Sequence, residues 1–574
     1  MSKVDEYRAA REAIPDRMLK WRFYGEGLES LHVEEVPVPS FGPDELLVRQ
    51  DACGLCFSDT KVIALGANHP RMAGRDLTID PVTLGHEVSC TVVGVGDSLK
   101  NRFRMGDRFI VQADVFYQGV SMAYGYAISG GLAEYSVIPK SMIEGDEGCY
   151  LLPIQPNAGY VETALVEPWA CVTAAYNQSH RSGIKPSGRM LIVAGHGADS
   201  IDWSGTFRPG ERPESISIVG GSGAFIRDLA ETMSESGSLA TFPEVRDWAE
   251  MKAEQTGGEG FDDILILGAV APETIEGAAT TLANHGILNL VGGHHISRKL
   301  SLDIGRIHYN WHHYLGTRTN RPADAYAETR NAELTAGGNT WFIGAGGPMG
   351  QMHVQRAVQS PNPPTLIVAT DIDAERLQSV ADRFGADAKA RGVELVILNP
   401  KTMEPSAFDA ELRRLTNGRG FDDIVSLVPV AALIEHADAF LADGGWFNIF
   451  AGVARGTMAN LDVNAIVQRR VRHIGSSGSS IADMRHTLEQ VESRALSTNA
   501  SLAAIGGMRA AREGIAAVKE GRFPGKTLIF PLIPDLPLTP LAELKTVYPT
   551  VYAKLKDGKF WTKEAEEELL RVSV

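Results

Sequence analysis

Cysteine is scarce, with five residues in a chain of 574. That is too few for a disulfide scaffold, so the thiols are expected to be reduced, or to ligate metal, in a reducing compartment. Long apolar runs are missing. None reaches the roughly 18–20 residues that span a bilayer, and the charged stretch from Met1 to Lys20 lacks the apolar centre of a secretory signal. A soluble, cytoplasmic protein with no membrane partner is the expectation. Positive charge is in the minority, with 55 Lys and Arg against 71 Asp and Glu and a formal net charge of -16. Such a surface repels a phosphate backbone, which argues against nucleic acid as a partner. Glycine, by contrast, is plentiful at 59 residues, as suits many strand–helix turns. Hydrophobic residues at 44% and charged residues at 22% match a folded globular chain. Its length suggests several domains at roughly 150 residues each.

The texture changes along the chain. Up to about residue 175, short apolar stretches such as Leu46–Val48 and Ser89–Val95 alternate with Gly, Pro and Asp turns, which reads as β-rich. After the break at Lys185-Pro186-Ser187-Gly188, apolar runs alternate with helical patterns from about Arg189, as βαβ units on a parallel sheet do. The second part then repeats itself. Phe261-Asp262-Asp263-Ile264 returns as Phe421-Asp422-Asp423-Ile424, Leu302-Asp303 as Leu461-Asp462, and Gly316-Thr317 as Gly475-Ser476, each about 160 residues on. The run from Met190 to Gly197 returns as Thr340 to Gly347. Ordered matches at a nearly constant offset predict two similar α/β domains in tandem. The expected partition is 1–188, 189–337, 338–480 and 481–574, the last a return to the first domain followed by a tail.

Only the second copy is expected to hold a nucleotide. A buried strand, Thr340-Trp341-Phe342-Ile343, leads into Gly344-Ala345-Gly346-Gly347-Pro348-Met349-Gly350 and then a helix. Such a turn lets the backbone approach a pyrophosphate at the helix N-terminus. Its best register is Ala345-x-Gly347-x-x-Gly350, with Gly344 just before. The next strand ends at Asp371, whose carboxylate suits two ribose hydroxyls and repels a 2′-phosphate, favouring NAD over NADP. Arg376 is expected against the adenosine. In the first copy Ser200 replaces the third glycine, the segment from Ile201 to Gly210 contains Gly and Pro and reads poorly as a helix, and Gly220-Gly221 stands where the other copy has Asp371. That copy is read as degenerate.

Upstream, Cys56, His86, Glu87 and Glu167 offer thiolate, imidazole and carboxylate, the ligand types of a catalytic zinc site with an exchangeable position. Cys53 and Cys56 form one Cys-x-x-Cys pair without a second, which argues against a zinc ribbon.

With these elements in view, the chain resembles the zinc-dependent medium-chain dehydrogenase/reductase superfamily. The resemblance rests on Gly54-Leu55-Cys56-Phe57-Ser58-Asp59, Gly85-His86-Glu87, the Phe103–Arg108 turn segment, Gly130-Gly131-Leu132-Ala133-Glu134-Tyr135, Glu167-Pro168, Ile505-Gly506-Gly507-Met508 and Gly525-Lys526. It covers about residues 25–190 and 338–530. Within the superfamily the chain is most similar to the L-sorbose 1-phosphate reductase and polyol dehydrogenase branch. The resemblance implies a GroES-like β-rich catalytic domain beside two tandem Rossmann-like doubly wound domains, one catalytic zinc per chain, and hydride transfer between NAD(H) and a secondary alcohol or ketone of a polyol, sugar or sugar phosphate. It implies Cys56 and His86 as zinc ligands, Glu87 and Glu167 as ligands or as groups exchanging with water, and Ser58 as the carrier of the substrate hydroxyl proton. Lys61 stands where many relatives place a relay histidine; it passes the proton, contacts the cofactor ribose or faces a substrate phosphate. Cys90 replaces a common glycine and is read as packing. The cysteine-rich structural-zinc lobe of many relatives has no counterpart between Gln112 and Ser129.

The tandem copy is foreign to the usual family plan. One expectation is that the two copies pair within the chain, imitating a contact that relatives make between subunits; a homo-oligomer, dimer or tetramer, is expected besides. His294-His295 and the His308, His312, His313 group are read as bland, the latter marking one helical face. The Pro-rich stretch after Phe530 and the charged stretch from Lys563 to Arg571 are read as an arm and helix packing on the chain or a neighbour. The reading from another functional class is a non-catalytic nucleotide-binding assembly or sensor protein.

Overall fold

The computed structural model describes residues 3–9, 13–72, 74–233, 238–327 and 330–573. Two compact units emerge: residues 1–174, 347–352 and 478–574 form one, and residues 175–346 and 353–477 the other.

The first unit is built on an eight-stranded sheet. Strand Leu46–Leu55 sits at its centre, buried at every position, between Glu87–Val95 and Lys526–Phe530. Its apolar ends suit a covered strand, and the charges in its middle are paired, Arg49 with Asp51 at 2.8 Å. The C-terminal part returns to this unit. Leu502–Gly507 and Lys526–Phe530 pair in parallel and extend the sheet. The tail packs on its own chain: Leu536, Leu541, Leu544, Val551, Trp561 and Leu569 share a buried cluster with Tyr160 and Phe530. Glu566, from the last helix, accepts the backbone N–H groups of Tyr160 and Val161 at 2.7 and 2.8 Å. Two otherwise orphaned donors at a helix start are thereby satisfied.

The second unit holds both copies of the repeat. Each is a six-stranded parallel sheet. Numbered along each copy, the strands lie in the order 3-2-1-4-5-6, the doubly wound arrangement. The first sheet runs Ser238–Phe242, Ser215–Gly220, Arg189–Ala194, Phe261–Leu267, Leu282–Val291 and His313–Thr317. The second runs Glu394–Leu398, Leu366–Thr370, Asn339–Ile343, Phe421–Ser426, Leu441–Ile449 and Arg472–Ile474.

The repeated sequence signatures have structural reasons. In Phe-Asp-Asp-Ile each buried acid ties down the chain entering its sheet. Asp262 accepts from Arg189 N and Asp422 from Asn339 N, both at 2.8 Å. Asp263 accepts from Lys185 N at 2.9 Å and Asp423 from Thr335 N at 2.8 Å. Arg181 and Arg330 pair with Asp263 and Asp423 respectively.

The matching Leu-Asp segments meet each other. Leu300–Asp303 and Met458–Leu461 form an antiparallel pair, with Leu300 opposite Leu461 and Leu302 opposite Ala459. The matching glycines mark reciprocal close approaches. A Cβ on Gly316 would stand 2.8 Å from Val467 of the second copy, and one on Gly475 would stand 2.6 Å from the His308 Cα of the first. Asn464 closes two hydrogen bonds, at 2.9 Å each, with the backbone of Ile296. One buried cluster runs through both copies, from Leu191 and Ile264 to Trp341 and Ile424. The copies pair within the chain, as the repeat led us to expect.

The histidine group needs correction. His308 lies in helix Ile304–Asn310, but Trp311 takes a left-handed conformation (φ +50°) and His313 begins a strand, so the three histidines do not share a helical face.

Candidate active site

Three potential ligands converge in the first unit. Strand Leu46–Leu55 delivers the chain to Cys56, which precedes helix Phe57–Leu65, and the neighbouring strand begins at Glu87 directly after His86. One ligand atom each from Cys56, His86 and Glu87 lies within 4.8 Å of the others. The register places Glu87 opposite Gly54. A Cβ there would stand 2.1 Å from Glu87 Oε2, so only glycine leaves the carboxylate its place.

Two residues that the sequence reading left without a role hold this cluster in shape. Asp59, almost fully buried, accepts the Cys56 N–H at 2.9 Å, and its other oxygen lies 3.4 Å from His86 Nδ1. Lys526 donates to Glu87 Oε1 at 2.5 Å and to the Leu55 carbonyl at 2.8 Å. Burial works against the Lys526 ammonium, but the charge of Glu87, together with Cys56, the Glu87 hydrogen bond and Glu167, outweighs it and raises its pKa. Both residues stand in the family-like segments, yet nothing in their spacing shows that a lysine more than 400 residues away meets Glu87.

Glu87 Oε2 remains buried without a hydrogen-bond partner. An orphaned anionic oxygen in the interior is costly unless a cation compensates it. With the Cys56 thiol and the His86 imidazole close by, the Glu87 carboxylate completes a donor set that fits zinc. Glu167, in the first turn of helix Val166–Tyr176, is not within that three-residue cluster. Burial pushes its carboxyl up to about 7, against the charge of His86 and with that of Glu87. Ser58 Oγ lies 3.2 Å from His86 Nε2. Lys61 is exposed on the same helix. Cys53 is fully buried, its thiol pushed well up by burial, and its Sγ would stand 2.6 Å from a Cβ on Gly85. It packs, as does the buried Cys90.

The Tyr126 ring lies 5.8 Å from His86 and stacks on His69 at 5.6 Å. The Arg71 guanidinium sits 5.0 Å over the same ring and pairs with Asp114 at 2.6 Å. A cationic group thus stands beside the ligand cluster, a placement that the sequence reading missed.

In the second unit the strand Asn339–Ile343 ends at Gly344, whose φ of +82° requires glycine. Gly346 donates its N–H to Asp371 Oδ2 at 2.9 Å, and a Cβ on it would stand 2.9 Å from that oxygen and 2.7 Å from Arg376 Cβ. Asp371 Oδ1 accepts from Asp373 N at 3.1 Å, and Arg376, in the first turn of helix Ala374–Ala390, donates its N–H to the Asp373 cap at 3.0 Å. The helix after the turn runs Pro348–Gln359, so Pro348, Met349 and Gly350 form its first turn, directly after Gly347. Beside Gly344 and Asp371 opens an apolar cleft of about 470 Å³, with buried Trp341 and Phe408 within and exposed Ile372 and Val430 at its edge.

The first copy is built differently at the same place. After Gly197 there is one short turn, Ala198–Ser200, and no regular element until Ser215. Trp203 fills the space, packed against Phe207 and Phe225. Two left-handed glycines, Gly220 and Gly221, stand in place of the acid.

Comparison with known proteins agrees with this geometry. Residues 42–144 match the alcohol dehydrogenase GroES-like domain and residues 348–493 the zinc-binding dehydrogenase domain. An Escherichia coli protein, the uncharacterized YggP, is 31% identical over 51% of this chain and 72% of its own length. Mannitol-1-phosphate 5-dehydrogenase of Aliivibrio fischeri is 25% identical over 95% of this chain and 96% of its own, so the match runs through both copies. L-sorbose 1-phosphate reductase of Klebsiella pneumoniae is 29% identical over 52% and 74%. Among solved structures, 2R,3R-butanediol dehydrogenase from Bacillus subtilis shares the fold, with a TM-score of 0.50 and 17% identity, covering 90% of this chain and 99% of that one. With a GroES-like β-domain, a convergent Cys-His-Glu set and a Rossmann-like zinc-dehydrogenase domain, the chain belongs to the zinc-dependent medium-chain dehydrogenase/reductase superfamily.

Proposed function

We propose that the protein is an NAD-dependent zinc dehydrogenase that interconverts a secondary alcohol and a ketone on a polyol, sugar or sugar phosphate. The observation that carries this is the buried meeting of Cys56, His86 and Glu87, with one Glu87 oxygen left unpartnered. Zinc bound there would act as a Lewis acid on a substrate oxygen. NAD supplies the hydride acceptor, and the protein's part is to bind and orient it.

The remaining work falls to side chains. Ser58 Oγ, in reach of His86, takes the substrate hydroxyl proton and passes it outward. Lys526 pairs with Glu87 and compensates its charge in the interior. Asp371 retains lone pairs beyond its two backbone contacts with which to accept the ribose hydroxyls. The apolar cleft beside it suits the adenine ring. Arg71 supports a phosphorylated substrate, since a guanidinium can exchange its carboxylate partner for a phosphate. Two relatives, a mannitol-1-phosphate 5-dehydrogenase and an L-sorbose 1-phosphate reductase, are named for phosphorylated substrates, which points the same way. A non-catalytic sensor is disfavoured by the intact ligand set.

The test is metal content together with NADH formation on a panel of free and phosphorylated hexitols. About one zinc per chain and turnover are expected, with both lost in Cys56→Ser. Turnover that persists after zinc is removed overturns the reading.

A further inference from the structure

The degenerate copy has a cavity of its own. It opens at the carboxyl end of strand His313–Thr317, the last strand of the first sheet, and has a volume of about 410 Å³. In doubly wound sheets, ligands bind outside the carboxyl ends of the strands. The volume falls in the range of about 300–1,000 Å³ typical of small-molecule sites.

Its lining is cationic in a protein whose formal net charge is -16. Arg318 comes from the first copy; Arg470 and Arg472 come from the helix end and strand of the second. The hydroxyl-bearing Thr317 and Thr319 also line it. Among the described lining residues the one acid, Asp324, is already engaged by Arg321 at 2.9 Å and by Thr319 Oγ1 at 2.7 Å. Neither Arg318 nor Arg470 takes part in an ion pair among the described residues. Arg470 also holds a left-handed backbone (φ +55°), which costs a residue with a Cβ more than it costs glycine.

We propose that this pocket binds a small phosphate monoester. Guanidinium groups are the side chains best matched to phosphate, through paired N–H donors. Convergence of several from two copies gives a dianion more compensation than a single surface arginine can. The cavity is larger than a bare phosphate needs, so it accommodates an attached polyol body, with threonine hydroxyls for its oxygens. The first copy has lost the glycine turn and the acid that a dinucleotide uses, and the proposal gives its strand-end crevice a different anion to hold.

The experiment is isothermal titration of the full-length protein with inorganic phosphate and with glucose 6-phosphate, using glucose as the neutral control. Wild type is compared with Arg318→Gln/Arg470→Gln; both residues are exposed, and melting temperature checks that the variant folds. The double variant is expected to lose one equivalent of glucose 6-phosphate binding, or to bind it at least about tenfold more weakly, while glucose binds to neither protein. Arg318→Lys/Arg470→Lys, which keeps the charge and loses the planar fork, is expected to bind between the two. Identical isotherms for wild type and the glutamine variant, or no anion binding to wild type, overturn the proposal. The readout requires neither zinc nor turnover, so its failure is distinct from failure of the dehydrogenase reading.

Discussion

Glu87 is the residue on which the first unit's chemistry turns, and its place depends on two neighbours. Lys526 balances its charge and Gly54 leaves it room. Lys526→Met is expected to destabilise the first unit by about 3–5 kcal/mol, because it strands a buried carboxylate. The checks are a lowered melting temperature and reduced zinc content. Ser58→Ala is expected to leave zinc content unchanged and to lower kcat by about a hundredfold or more, the usual scale for a lost proton-transfer group. Steady-state kinetics at saturating substrate reads this directly. Arg71 separates the substrate classes. Arg71→Gln is expected to raise KM for a phosphorylated hexitol by about tenfold or more, the scale of one lost charge-assisted contact, and to leave the free hexitol little affected.

At the scale of elements, the proposed function gives cofactor choice to the turn and acid of the second copy. Asp371→Asn removes the charge that repels a 2′-phosphate, so kcat/KM for NADP relative to NAD is expected to rise by about tenfold, or ~1.4 kcal/mol. The last helix carries a pH dependence. Burial pushes the Glu566 carboxyl up to about 7, although the N–H groups of Val161 and Tyr160 pull the other way. The folded chain therefore keeps a proton that the unfolded chain releases near pH 4.3. Stability from this group falls as the pH rises from about 4.3 to 7 and is level above that. The full effect is about 4 kcal/mol at 1.36 kcal/mol per pKa unit. Glu566→Gln abolishes this slope, so its melting temperature relative to wild type is expected to be more favourable at pH 8 than at pH 5.

For the whole molecule, the pairing of the two copies makes one body of what the sequence presents as two domains. Leu302 is 2% exposed and faces Ala459 across the antiparallel pair. Leu302→Asp is expected to cost about 3 kcal/mol, since it buries a charge without a partner. Limited proteolysis within residues 175–477 reads the loss. The repeat was legible because its residues do repeated work: the Asp pairs tie strand entries, and the matched glycines admit the opposite copy's helix. The histidine group was misread because a single left-handed residue, Trp311, ends the helix, and no periodicity announces it.

The sequence by itself determined the two sheets, the degenerate turn of the first copy, and Cys56, His86 and Glu87 as candidate ligands. These are matters of local spacing, in which glycine, strand and helix signals lie within a few residues of each other. The tertiary structure decided what distance in sequence hides: that Lys526 and Asp59 hold the ligand cluster, that Glu167 stands outside its three-residue core, that the copies bury one another's faces, and that arginines from both line one pocket. The reason is that burial removes water as the partner of each charge and polar group. The compensating group then comes from wherever the packed chain brings it, and linear order does not record that.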